Sequence, residues 1–429
     1  MATTDLPTPQ GIPNSAFTPP SDGSLTLAQI FDHCYLKSRD HTLFRHEDDA
    51  GKVIDIEWGR AVSAMHLFAR MILKSVTVVS SARPVVAILA AADSVTYYTT
   101  IAGIMRAGCI AFPISVRNSD AAVAHLIRST GAKYMFLSQD PGMQKLAEVA
   151  LQNLNNEECQ DLKMMTMPSF ESLYSGSPEP SNFLPSIKNS DLEAQALIMH
   201  SSGSATFPIP ILVTYKIMMQ SGLLPYFGEV NICGDVLSAH AVPMLHLMGA
   251  IQIAWTAYTG IIMAVFRPGW PPIIPTPDRV FSGAIAIKCN LMFCVPAFLE
   301  NWEKDPQRVE RLSKFKTIGV CLVPLYGQTE TATVTLFLLK RHPPEGWDYW
   351  RFSPHCTPIL EPFEEESGVY RLMFKSFLGL MVFLWKVSVL KCTFTLLPGL
   401  AVTISNLRQL IGKSTIPSAI STFLTPPPA

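Results

Sequence analysis

Residues 199 to 210 read Met-His-Ser-Ser-Gly-Ser-Ala-Thr-Phe-Pro-Ile-Pro. Ser201, Ser202, Ser204 and Thr206 place four hydroxyls around Gly203. A loop of this composition can wrap phosphate oxygens with side-chain hydroxyls and backbone N–H groups together. An apolar stretch, Ala196 to Met199, leads into it as a strand would. A second polar cluster follows far along the chain, Tyr326-Gly327-Gln328-Thr329-Glu330. Either cluster alone is an ordinary turn; in this order they form a paired signal for phosphate chemistry.

Such loops need a scaffold, and residues 84 to 138 supply one. Pro84 to Ala90 is continuously apolar, as in a strand buried on both faces. Asp93 and Ser94 are candidate N-caps for a helix ending at Arg106, with Gly108 as the stop. Cys109 to Ile114 reads as a second strand. Ser119 caps a helix to Thr130 that Gly131 ends, and Lys133 to Leu137 is a third strand. Strand, helix, strand, helix, strand at this spacing predicts a parallel sheet with right-handed crossovers.

The bulk properties narrow the choice. A chain of 429 residues has room for roughly two or three domains. Its formal charge is −1 and only 16% of residues are charged, which argues against a nucleic-acid partner. Nine scattered cysteines without a Cys-x-x-Cys pair predict reduced thiols, no structural zinc and a cytoplasmic location. Residues 1 to 24, rich in Pro, Ser and Thr, carry no apolar signal segment and predict a disordered lead-in. Leu247 to Phe266 and Ser376 to Ser405 are apolar enough to suggest membrane spans. Polar and helix-breaking residues interrupt both, so a buried core segment is expected for the first and no anchor for the second.

The two clusters, in this order, resemble the adenylate-forming enzymes, the family of acyl-CoA synthetases, luciferases and peptide-synthetase adenylation domains. Its members activate a carboxylic acid with ATP. Ala111-Phe112-Pro113-Ile114-Ser115-Val116-Arg117-Asn118-Ser119 and Ala122-Val123-Ala124-His125-Leu126 are similar to one branch. That branch is the fungal peptide-synthetase-like enzymes, in which an adenylation domain precedes a carrier domain and often a thioester reductase. Pro243-Met244-Leu245-His246-Leu247-Met248-Gly249, Phe298-Leu299-Glu300-Asn301-Trp302 and Asp305-Pro306 fit the same branch. So do Phe352, His355, Pro358, Glu361-Pro362 and Glu366-Ser367-Gly368-Val369-Tyr370. The resemblance spans residues 25 to 373 and stops before a tail, 374 to 429, with no helix or strand period.

The resemblance implies an α/β fold, the large N-terminal domain of the family: parallel sheets flanked by helices, with the cleft between loops 200–210 and 326–330. It implies that Ser201, Ser202, Gly203, Ser204 and Thr206 hold the β- and γ-phosphates of ATP. Tyr326, with Gly327, would stack on adenine, Thr329 would touch the α-phosphate, and Glu330 would hold Mg²⁺, an ion that favours oxygen. His246 would lie beside the acyl pocket and orient the carboxylic acid substrate.

The chain also departs from the family pattern. Ala205 and Thr206 stand where the family has Thr-Gly, and Ile209 stands where it has a lysine aimed at the phosphates. About 25 residues, a wall of the adenine site, are missing around 317–318 by family spacing, long for a tolerated core deletion. No Thr-Gly-Asp motif for the ribose follows Tyr370, and Gly412-Lys413 does not match the family's lid domain, whose catalytic lysine and following carrier domain are both expected to be absent. The expectation is therefore acyl-adenylate formation by ancestry in a truncated and impaired chain. The alternatives are a non-enzymatic remnant with a binding or membrane-associated role, or a fragmentary reading of a longer active enzyme.

Overall fold

The computed structural model describes residues 3–12, 15–21, 23–76, 83–154, 162–176, 183–188, 190–201 and 207–313. Beyond these it describes the backbone of 327–328, 332–333, 356–362, 369–376 and 385–388. Two sheets organise the described residues. The larger has six strands in the order β6-β5-β3-β4-β7-β8. These are β3 (Val85–Leu89), β4 (Ile110–Pro113), β5 (Tyr134–Leu137), β6 (Lys163–Thr166), β7 (Gln195–His200) and β8 (Pro210–Thr214). All neighbours are parallel except β7 and β8, which form an antiparallel hairpin.

The second sheet has the order β11-β9-β10-β1-β2. It combines β1 (Thr42–Glu47), β2 (Val53–Glu57), β9 (Val236–Ser238), β10 (Ile262–Ala264) and β11 (Leu291–Met292). Only the β1–β2 pair is antiparallel.

Burial on both faces explains the apolar strands. On β3, Val86 and Ile88 enter the main core between the sheets. Ala87 and Leu89 enter a second core under the helices Asp120–Thr130 and Pro141–Gln152. This is the two-residue alternation of a strand covered on each side. On β10, Met263 faces the main core, whereas Ile262 and Ala264 pack against Ala284 and Ile287 of the Pro277–Ala286 region. The central layer holds helices Leu27–Lys37, Trp58–Ser75, Ser94–Arg106, Tyr215–Leu223 and Leu247–Thr259. Trp58, Phe68, Tyr98, Trp255 and Tyr258 fill it. The result is five layers, alternating helix and sheet.

The capping signals act as the sequence predicts. Asp93 accepts from the Thr96 N–H and Ser119 from the Ala122 N–H. Gly131 ends its helix at φ 62°, a left-handed angle that a Cβ disfavours. Leu247 to Phe266 is a buried helix followed by β10, as expected for a core segment. Among the described residues no helix is long and apolar enough to cross a membrane.

Two expectations need correction. The lead-in is packed where it is described. Leu6 and Phe17 are buried, the Thr8 N–H donates to the Tyr226 carbonyl at 2.8 Å, and the Ile232 N–H donates to the Gln10 side chain at 2.8 Å. Composition reads as disorder there, but a few apolar anchors and long-range backbone bonds offset the ordering entropy. The tail also has structure at its start. Strand 356–362 pairs with 369–376, which pairs in turn with 385–388, so pairing runs past residue 374. The junction near 317–318, Phe352 and His355, and the Gly412-Lys413 pair lie outside the described residues.

Candidate active site

The parallel strands β3, β4, β5 and β7 all end at one edge of the larger sheet. Open α/β sheets bind ligands at this carboxyl edge. Asp93 lies there, its carboxylate accepting from Thr96 N–H at 2.9 Å, Thr96 Oγ1 at 2.7 Å and Gly269 N–H at 3.2 Å. Burial pushes its pKa above the usual carboxylate value, against those hydrogen bonds. The Gly269 bond ties the segment beyond β10 to the edge of the larger sheet.

The Ser/Gly loop joins β7 to β8, so it is the connection of a hairpin. Ser201 closes its neck. Its N–H donates to the Ile209 carbonyl at 3.0 Å, and its hydroxyl oxygen accepts from the Ile209 N–H at 2.9 Å. Phe207 stacks on His125 of the Asp120–Thr130 helix, with ring centroids 5.0 Å apart. Ile209 is 62% exposed, an apolar side chain presented to solvent where the resemblance calls for a cation.

His200, the last residue of β7, was assigned no role from sequence. Its Nε2 receives the Ser115 N–H from the end of β4 at 3.0 Å. Its Nδ1 lies 2.8 Å from the Ser201 carbonyl oxygen. Burial lowers its pKa, only partly opposed by the Ser201 bond.

His246 is the N-cap residue of the Leu247–Thr259 helix and makes no side-chain cap hydrogen bond. Gly249 sets its mount: a Cβ there would fall 2.2 Å from the Pro243 carbonyl oxygen, so only glycine allows the turn to close. The His246 residue is exposed to solvent. Desolvation lowers its pKa, with smaller contributions from the neighbouring His200 and Arg117 side chains. Arg117 is exposed, on the loop that follows β4. Arg117, His200 and His246 are thus electrostatic neighbours, carried by the loop after β4, the end of β7 and the loop after β9.

Of the residues singled out by sequence, Ser201 and His246 are placed here. Ser202, Gly203, Ser204, Thr206, Tyr326, Thr329 and Glu330 lie outside the described residues. Gly327 is described as backbone, in a two-residue strand paired with Ala332–Thr333. Sequence reasoning missed His200 and gave Arg117 no role. The available signal was a histidine closing an apolar strand just before a phosphate-type loop. Among the described residues, Cys109, Cys289 and Cys294 are free thiols whose pKa burial pushes up to about 12. Among the described residues no cluster of His, Cys, Asp or Glu could hold a metal ion.

Comparison with known proteins settles the ancestry. The AMP-binding enzyme family matches residues 65–311. The chain belongs to the AMP-binding enzymes. Among curated relatives of this AMP-binding chain, the adenylate-forming reductase Nps10 of Heterobasidion annosum is 33% identical over 84% of the chain and 36% of the relative. The adenylate-forming reductase Nps9 of Serpula lacrymans is 24% identical over 78% of the chain and 33% of the relative. The chain thus spans about a third of the length of the curated relatives it matches. Among solved structures, ATP-bound MatB from Rhodopseudomonas palustris aligns with a TM-score of 0.62 at 16% identity, covering 81% of this chain and 70% of that one. This likeness supports the α/β fold of the AMP-binding domain.

Proposed function

We propose that this domain binds ATP and a carboxylic acid for acyl-adenylate formation, and that its phosphate side is impaired. In that reaction a carboxylate oxygen attacks the α-phosphorus while the bond to pyrophosphate breaks and pyrophosphate leaves with the electron pair. Two anions must approach, so charge neutralisation dominates the barrier. The observation that supports the reading is that Arg117 and His200, the residue before the Ser201 neck, are electrostatic neighbours of His246. Arg117 offers a cation to the incoming carboxylate. His246, held neutral by its surroundings, offers an N–H without adding repulsion toward Arg117. Ser201 keeps a hydroxyl hydrogen for a phosphate oxygen.

The impairment follows from Ile209. An exposed isoleucine at the loop's exit puts no charge near the phosphates. One preorganised donor of this kind is worth roughly 10²–10³ in rate. Glu330 is the residue we assign to Mg²⁺ through its carboxylate oxygens, where the ion would neutralise phosphate charge; the described residues build no site for it. The carrier domain that would accept the acyl group, and a cytoplasmic setting, belong to the same proposal.

Pyrophosphate–ATP exchange with purified protein and a panel of aryl and aliphatic acids tests this. The expected result is ATP binding with exchange at or near background. Brisk exchange with any acid would refute the impairment, and no ATP binding at millimolar nucleotide would refute the nucleotide reading.

A further inference from the structure

The partners of His200 leave it one protonation state. Nε2 faces the backbone nitrogen of Ser115, which can only donate, so Nε2 is the bare accepting nitrogen. The side-chain nitrogen of Asn118 lies 3.5 Å from the same atom. Nδ1 faces the Ser201 carbonyl, which can only accept, so Nδ1 carries the proton. An imidazolium would set an Nε2–H against the Ser115 N–H. The neutral Nδ1–H tautomer alone satisfies both contacts.

We propose that His200 is a positioning residue for nucleotide binding: a neutral imidazole clasp that ties the neck of the β7–β8 hairpin to the end of β4. This rests on the reading of that hairpin as the phosphate loop. The geometry explains why a clasp is needed. Among the described residues β8 is an edge strand, paired on one side only. The neck closes through the two Ser201–Ile209 bonds, and both partners belong to the hairpin itself. His200 joins this unit to a neighbouring strand. It also uses the Ser201 carbonyl, while Ile209 uses the Ser201 N–H and a hydroxyl lone pair. What Ser201 retains for a ligand is the hydroxyl hydrogen, the right sense for a phosphate oxygen. Fixing the neck fixes where that hydrogen is presented, and a preorganised donor binds without a further ordering cost.

Nitrogen-15 spectra of histidine-labelled protein at neutral pH should show His200 as the neutral Nδ1–H tautomer. His200→Phe keeps the ring volume and removes both nitrogens. It should speed hydrogen exchange at the buried Ser115 amide by about tenfold, the worth of one hydrogen bond. It should weaken ATP binding by about tenfold and leave AMP binding unchanged, since AMP lacks the phosphates assigned to the hairpin. His200→Gln, which restores an acceptor for Ser115, should recover that amide's protection, which a packing role alone does not predict. An Nε2–H tautomer, or a His200→Phe protein with wild-type Ser115 exchange and an unchanged ATP-to-AMP affinity ratio, overturns the proposal. A wild-type protein that binds no ATP overturns instead the phosphate-loop reading, and this use of the clasp with it.

Discussion

His200 and His246 are electrostatic neighbours, and the fold holds them in opposite ways. Both nitrogens of His200 are engaged by protein groups, Ser115 and Ser201. His246 makes no side-chain cap bond and stays in contact with solvent, with its backbone fixed by a tight turn around Gly249. One imidazole is engaged by protein groups and the other keeps its ring open to solvent. Two neighbouring histidines of lowered pKa therefore need not share a role; the hydrogen-bond partners distinguish them, and the pKa alone does not.

That contrast can be broken at four points, from the largest effect down. Gly249→Ala drives a Cβ to 2.2 Å from the Pro243 carbonyl oxygen and 2.7 Å from the Met244 Cα. Backbone cannot yield as a flexible side chain does, so chemical denaturation should show a loss of about 3 kcal/mol, at the upper end for overpacking. An unchanged midpoint would show that the turn does not mount His246 as described.

His240 extends the comparison to a third histidine. It is buried, its Nδ1 lies 2.9 Å from Ser238 Oγ, and burial lowers its pKa to about 4. Its folded pKa lies below the unfolded value near 6.5, so the native state favours the neutral ring. The stabilisation is complete above about pH 6.5 and is lost as pH falls toward 4, by about 3 kcal/mol in full. Urea melts from pH 7 to 4 should show this loss, and His240→Phe should remove this share of it while leaving the shares of His200 and His246. A pH-independent wild type would contradict the burial argument.

Ile209→Lys sharpens the contrast between the surroundings of His246, which hold a cation, Arg117, and a hairpin exit with none. Calorimetry should show ATP binding about tenfold tighter, with AMP little changed and the gain shrinking at high salt, as for a charged contact at an exposed position. Equal gains for ATP and AMP would move the hairpin away from the terminal phosphates. The smallest effect belongs to Ser119→Ala, which removes the cap just after the Arg117 loop and should cost about 1 kcal/mol in thermal or chemical melts. A Ser119→Asp protein should keep that stability, and failure to do so would deny the cap its role.

The first sheet was legible because each of its signals is local. Val85–Leu89, Ile110–Pro113 and Tyr134–Leu137 are short apolar runs, and Asp93, Ser119 and Gly131 mark helix ends within a few residues of where they act. The packed lead-in was not legible. Phe17 is buried beside Gly260, and Thr8 hydrogen-bonds near residue 226, separations that composition cannot encode. His200 was missed for the same reason: its decisive partner, Ser115, is 85 residues away in sequence.

The chain's order of residues by itself determined the α/β class and the adenylate-forming ancestry. These depend on hydrophobic period, caps and motif order, all readable along one strand of text. Tertiary structure alone decided the strand order β6-β5-β3-β4-β7-β8, the placing of Arg117 beside His246, and the tautomer of His200. Each of those is a relation between residues on separate elements, and a histidine's proton sits where the partner across the gap leaves it room.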